Sequence, residues 1–177
     1  MNGLGRSDDG LLLSFGRIVS PIHDPGERLT SAVVRLTPAG WTILHRSGVN
    51  VPNHNVAEDG TRLVYNDSTR SCLVAWNRET ASEVAAVTIP GDPAFACGLA
   101  RVAPDLWLVG SQWPLALHLV DLARGLIVAS YELDGVRDET VFAICPVPDE
   151  FADPQDADPA SFWRRAQLGP RVTPIPV

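Results

Sequence analysis

The side chains best suited to chemistry fall in a few short clusters. Asn53-His54-Asn55 and Asn66-Asp67-Ser68 combine an imidazole with amide and carboxylate oxygens. Ser111-Gln112-Trp113 adds a hydroxyl, an amide and an indole, and Arg137-Asp138-Glu139 adds both signs of charge. Two kinds of chemistry suit such a set. Convergent hydrogen-bonding groups beside an aromatic ring can hold a small molecule, which makes His54, Asn55, Asn66, Asp67, Ser111, Gln112, Trp113 and Arg137 candidate ligand-binding residues. Asn55, Asp67 and Glu139 can instead offer oxygens to a hard divalent cation such as calcium. Covalent catalysis has less behind it. Ser111 lacks the G-x-S-x-G elbow of a hydrolase, and Cys97 has no identifiable partner base.

The same residues have ordinary structural roles. Asn-Asp-Ser at the end of a strand commonly turns the chain by bonding its own backbone. A histidine flanked by asparagines can serve as a structural hydrogen-bonding group. Trp113 can cap a core, Trp76 and Trp107 can pack between sheets, and Cys97 can be a small buried hydrophobe.

What brings these clusters together is a repeat of roughly 43 residues. Val56, Leu99 and Phe142 succeed one another at intervals of 43, as do Leu63 and Leu106, and Gly48 and Gly91. Three stretches match, Asp9 to Gly48, Asp59 to Gly91 and Pro104 to Gly135. Each opens with an apolar run: Leu11 to Gly16, Leu63 to Ser68, and Leu106 to Ser111. A second strand and a polar turn follow, such as Leu73-Val74-Ala75-Trp76 before Asn77-Arg78-Glu79-Thr80. A third strand leads to the glycine, and a further short one comes after it: Asn55-Val56-Ala57, Gly98-Leu99-Ala100 or Val141-Phe142-Ala143. The runs are short, rich in Val and Leu, and broken by Gly, Pro, Asn and Asp, so strands win over helices. Four short strands per period is the signature of a β-propeller blade.

The expectation is therefore an all-β chain, a partial β-propeller of about three four-stranded antiparallel blades plus one extra strand, Val141-Phe142-Ala143. Residues 1–148 form this domain, and 149–177 form an acidic, proline-rich tail whose last residues, from Pro170, are extended or disordered. Within the tail, Ser161 to Gln167 can form a helical turn. An insertion from Arg17 to Thr30 stretches the first blade as a surface loop. Propeller sites usually lie where the innermost strands begin, and the loop after the second strand ends at the same channel mouth. His54, Asn55, Asn66 and Asp67 then share one blade there. Ser111, Gln112 and Trp113 with Cys97 are their neighbours, followed by Arg137 to Glu139. Arg17, His23 and Asp24 are the first-blade counterparts.

Bulk properties narrow the function classes. The formal net charge of −7 and scattered basic residues argue against a nucleic-acid or anionic-membrane surface. Three cysteines without paired spacing do not suggest a disulfide framework or a zinc site. No signal-peptide layout opens the chain and no apolar run approaches membrane-spanning length, so a cytoplasmic protein is expected. Three blades do not close a ring, whereas closed propellers have four to eight. This predicts exposed apolar faces, and a homodimer or a partner chain supplying the missing blades.

Two resemblances follow from these residues. His54-Asn55-Val56, Asn66-Asp67-Ser68, Gly98-Leu99-Ala100, Val109-Gly110-Ser111 and Val141 to Ile144 before Pro148-Asp149-Glu150-Phe151 resemble a family of uncharacterised bacterial β-propeller proteins. That resemblance spans roughly 50–151 and implies the C-terminal half of a longer propeller. Asn55, Asp59-Gly60 and Asn66-Asp67-Ser68 are also similar to part of the gluconolactonase and senescence-marker propellers. This second likeness implies a divalent cation at Asn55 and Asp67 and the opening of lactones, although that family's first-blade glutamate has no equivalent here. The leading expectation is a module that binds a small molecule or a protein at the channel face. The alternative is a metal-dependent lactonase-like hydrolase.

Overall fold

A computed structural model of the chain describes residues 3–18, 30–49, 53–135, 139–145 and 171–174. Every regular element among them is a β-strand. The first sheet holds β1 (Gly3–Ser7), β2 (Gly10–Ile18), β3 (Thr30–Thr37) and β4 (Gly40–Val49) in chain order. The second holds β5 (Asn53–Asp59), β6 (Arg62–Asp67), β7 (Cys72–Asn77) and β8 (Ser82–Thr88). The third holds β9 (Cys97–Ala103), β10 (Leu106–Ser111), β11 (Ala116–Asp121) and β12 (Leu126–Glu132), with β13 (Arg171–Pro174) added beside β12. All pairings are antiparallel. The chain is a partial β-propeller of three blades. No helix among the described residues is long and apolar enough to cross a membrane.

Packing between blades explains why the strands read as they do. β1 and β2 lie against β5, and β5 and β6 lie against β9. Leu63, Tyr65 and Val74 of the second blade join Leu12 and Val33 of the first in one core. Val64, Leu73 and Ala75 face the other way and join Trp107, Val109 and Val120 of the third. The middle blade is thus covered on both faces, so β6 runs Leu63-Val64-Tyr65 without the polar alternation of a half-exposed strand. Each fully buried Leu or Val there contributes about 1.5–3 kcal/mol.

Several details differ from the sequence reading. The first blade has a complete inner strand, β1, ahead of the Asp9 at which the repeat was expected to open. Its sequence Gly-Leu-Gly-Arg-Ser carries little β signal, because its two glycines let neighbouring backbone come close. Gly3 lies against Asn55, and Gly5 against the carbonyl of Val56. The 43-residue period also slips. Glu58 pairs with Leu63, but Arg101, its equivalent 43 positions on, pairs with Trp107 instead of Leu106. A register shift between Leu106 and Trp107 supplies the extra residue. One residue of slip exchanges the faces of a strand, so Trp107 is the counterpart of Leu63 and looks back at the preceding blade.

At the C-terminal side, Val141-Phe142-Ala143 is not a strand. It has no ladder partner among the described residues, and extended chain becomes a strand only by sharing its hydrogen bonds. It nonetheless occupies the place of a fourth blade's inner strand. Val141 lies against Gly98 as Asn55 lies against Gly3, and Gly98 N donates to Phe142 O at 3.2 Å. Arg171–Pro174 is extended and paired on β12, so the end of the tail belongs to the third sheet. Residues 19–29, Arg137 and Ser161 to Gln167 lie outside the described residues.

Candidate functional site

The blade array has two ends. At the upper end the inner strands begin and the second strands finish. At the lower end lie the hairpin turns between them. His54, Asn55, Asn66, Asp67, Ser111, Gln112 and Trp113 sit at the upper end, and the register pairs Asn53 with Asp67 and His54 with Asn66.

At the upper end the buried histidines and Ser68 and Ser111 bond one another and the backbone, Asp67 and Arg70 form an ion pair at 3.7 Å, and Ser14 Oγ and Asn66 Oδ1 are buried without a partner among the described residues. Ser68 Oγ donates to Ala96 O at 2.5 Å, so the 2.5 Å contact with His54 Nδ1 is a donation from the imidazole. The His54 ring is buried against Phe95 and Phe142, with centroids at 5.2 and 6.0 Å. Burial lowers its pKa, which keeps it uncharged. Asn66 is fully buried and donates from Nδ2 to Gly98 O at 3.0 Å, tying the second blade to the third. Asp67 closes a turn, its Oδ1 accepting from Arg70 N at 3.0 Å.

The third blade repeats the theme with other residues. Ser111 is fully buried, and its Oγ donates to Pro114 O at 2.6 Å. That leaves it to accept from His118 Nε2 at 2.9 Å, while His118 Nδ1 accepts from Ser130 Oγ at 2.8 Å. With the proton on Nε2, His118 cannot act as a base toward Ser111. Burial drives its pKa down to about 4. Backbone amides of Gln112 and Trp113 bond Ala94 O at 3.0 and 3.3 Å, and the Trp113 ring is partly exposed. Cys97 Sγ lies 2.8 Å from Thr140 Oγ1, and burial pushes its thiol pKa up, away from nucleophilic chemistry.

Among the described residues no group of three or more His, Cys, Asp or Glu side chains can hold a metal ion. Asn55 has a backbone reason for its identity. It has φ of 44° at a β-bulge, and Gly98, 43 positions later, has φ of 58° at the matching bulge. After glycine, asparagine is among the residues that tolerate this left-handed conformation best. Glu139 is exposed, in the segment beyond the third blade.

The lower end is charged and open. A cavity of about 550 Å³ is lined by Ser7, Asp8, Asp9 and Arg35 of the first blade, Glu58, Gly60 and Arg78 of the second, and Arg101 of the third. One oxygen of Glu58 takes both Arg35 and Arg78, the latter at 2.6 Å. Arg35 also reaches Asp9 at 3.3 Å, and Arg78 donates to Gly60 O at 2.7 Å. Arg101 meets Asp59 at 2.8 Å, while Arg62 bridges Asp59 and Asp105. These pairs all cross between blades or brace their hairpins. Arg35 Nε is buried without an acceptor among the described residues. Sequence reasoning missed this cluster, since its members come from distant segments. The available signal was the pair Glu58 and Arg101, charged at matching positions of an apolar repeat.

Comparison with known proteins adds fold and nothing about chemistry. No protein-family model matches, and no curated protein matches. Among solved structures, the crystal structure of the computationally designed Ika4 protein is similar over 84% of this chain and 80% of its own. The TM-score is 0.53 and the sequence identity 17%. At that identity the likeness is one of backbone architecture.

Proposed function

We propose that this chain is a non-catalytic β-propeller binding module that works as a ring of two copies. The observation that carries the reading is the contrast between equivalent positions on covered and open blade faces. Leu63 and Val56 of the second blade are 0% and 3% exposed beneath the first. Their first-blade counterparts, Leu11 and Leu4, are 44% and 58% exposed, and Trp41 on the same blade is 67% exposed. A surface of this kind on a folded domain marks an interaction site.

A second copy is the occupant with matching chemistry. The third blade's outward strand positions, Leu108, Leu117 and Leu119, correspond to Val64, Leu73 and Ala75, which cover the next blade in the middle of the array. One chain therefore carries both halves of a blade–blade interface, at opposite ends. Two copies of three blades make six, within the range of closed propellers, and a two-fold ring leaves no blade uncovered. Closure displaces Thr140–Ile144 from Gly98 and Gly110, because the partner's β1 needs the same groove.

Native mass spectrometry with light scattering tests this. A dimer at micromolar concentration that Leu11→Glu converts to a folded monomer is expected. A wild-type monomer across that range sinks the ring. Two findings support binding over hydrolysis: His54, Ser68, Ser111 and His118 are held in closed hydrogen bonds, and Asn55 and Asp67 have backbone roles.

A further inference from the structure

We propose that the lower-end cavity is a binding site for a small zwitterion, a molecule carrying one carboxylate and one ammonium group, such as an amino acid. The site is independent of ring closure, since every lining residue belongs to one chain.

Three features of the cavity converge on that ligand class. Its volume of about 550 Å³ suits a small molecule. Its cationic wall is held ready. Glu58 clamps Arg35 and Arg78 together, and Arg101 is placed by Asp59. Yet Arg35 keeps a buried Nε–H with no acceptor among the described residues. A buried donor left unpaired is costly, and a ligand carboxylate removes that cost by pairing with the guanidinium edge. The opposite charge stands on the same cavity's wall. Asp8, at the tip of the β1–β2 turn, is exposed and makes no hydrogen bond or ion pair within the described residues. A free carboxylate there repels a simple anion and attracts an ammonium group. The lining carboxylates Asp8, Asp9 and Glu58 balance the three arginines, so a neutral dipolar ligand meets no net repulsion.

A purely structural cluster would behave differently from a binding site. Titration of the ¹⁵N-labelled protein with a panel of L-amino acids, and with acetate and methylammonium as half-ligands, separates the two. At least one amino acid is expected to shift the amide signals of Ser7 to Asp9, Gly60 and Arg78, at least tenfold more tightly than either half-ligand. Asp8→Asn changes an exposed turn residue without partners, so the protein folds, and it should weaken that binding about tenfold. Arg35→Lys removes the guanidinium edge and should weaken it further. No amino acid binding, half-ligands binding as tightly, or shifts confined to the upper end would each overturn the proposal. Failure here leaves the dimer measurement untouched, and a monomeric protein that binds an amino acid leaves this site standing.

Discussion

Where the inner strands begin, neutral histidines and serines bond one another in buried pairs. At the hairpin end, charged side chains line an open cavity. Upper-end groups such as His54, Ser68, Ser111 and His118 satisfy each other and the backbone, while Asn66 keeps one amide oxygen without a partner among the described residues. Lower-end arginines and carboxylates are paired as well, but around empty space and with groups left over. The difference teaches that a conspicuous cluster of reactive residue types can be masonry, while dispersed charges can assemble a site.

Acid should expose this contrast most strongly. His45 and His118 both have pKa values lowered to about 4 by burial, below the ordinary 6.5. On acidification the unfolded chain takes up protons first, so the stability present above pH 6.5 is lost as pH falls from there toward 4. Each imidazole should remove about 3 kcal/mol by pH 4. Urea unfolding from pH 7 to 4 should show this slope, and His118→Gln should flatten roughly half of it. A pH-independent midpoint would mean these rings are not buried and neutral.

Salt should separate the two ends by type. His118→Ala strips Ser111 and Ser130 of their partner and should cost about 3 kcal/mol at any ionic strength. Glu58→Gln leaves Arg35 and Arg78 facing each other and should cost about 2 kcal/mol in dilute buffer, less in 1 M salt as screening grows. Equal salt responses in the two variants would erase the distinction between the neutral His118 network and the charged Glu58 cluster.

The smallest effect tests a single residue. If Asn55 serves the bulge, Asn55→Gly should leave stability within about 0.5 kcal/mol, while Asn55→Ala should cost about 1 kcal/mol through the left-handed backbone. Thermal unfolding of the two variants decides it, and equal losses from both would point to the amide side chain.

Much of the architecture was legible because a repeat states its pattern more than once. Anchors such as Val56 and Leu99 marked inner strands, and turn residues such as Asn77 and Asp121 marked hairpins. The proximity of His54 to Asn66 followed from antiparallel pairing alone. Less was legible at the faces. Matching Leu63 with Leu106 respects composition, yet the shift beside Leu106 turns Trp107 into the structural equivalent, and only a hydrogen-bond register reveals that. β1 escaped notice because glycines chosen for close backbone contact carry no hydrophobic signal.

What the sequence determined by itself was the blade: strand lengths, turn chemistry and period are local properties, written into neighbouring residues. Tertiary structure alone decided which polar groups are used up and which remain available. That outcome depends on tautomers set by partners such as Ser130, and on charges brought from three blades to one cavity. Such distances are consequences of how sheets stack, and no stretch of chain contains them.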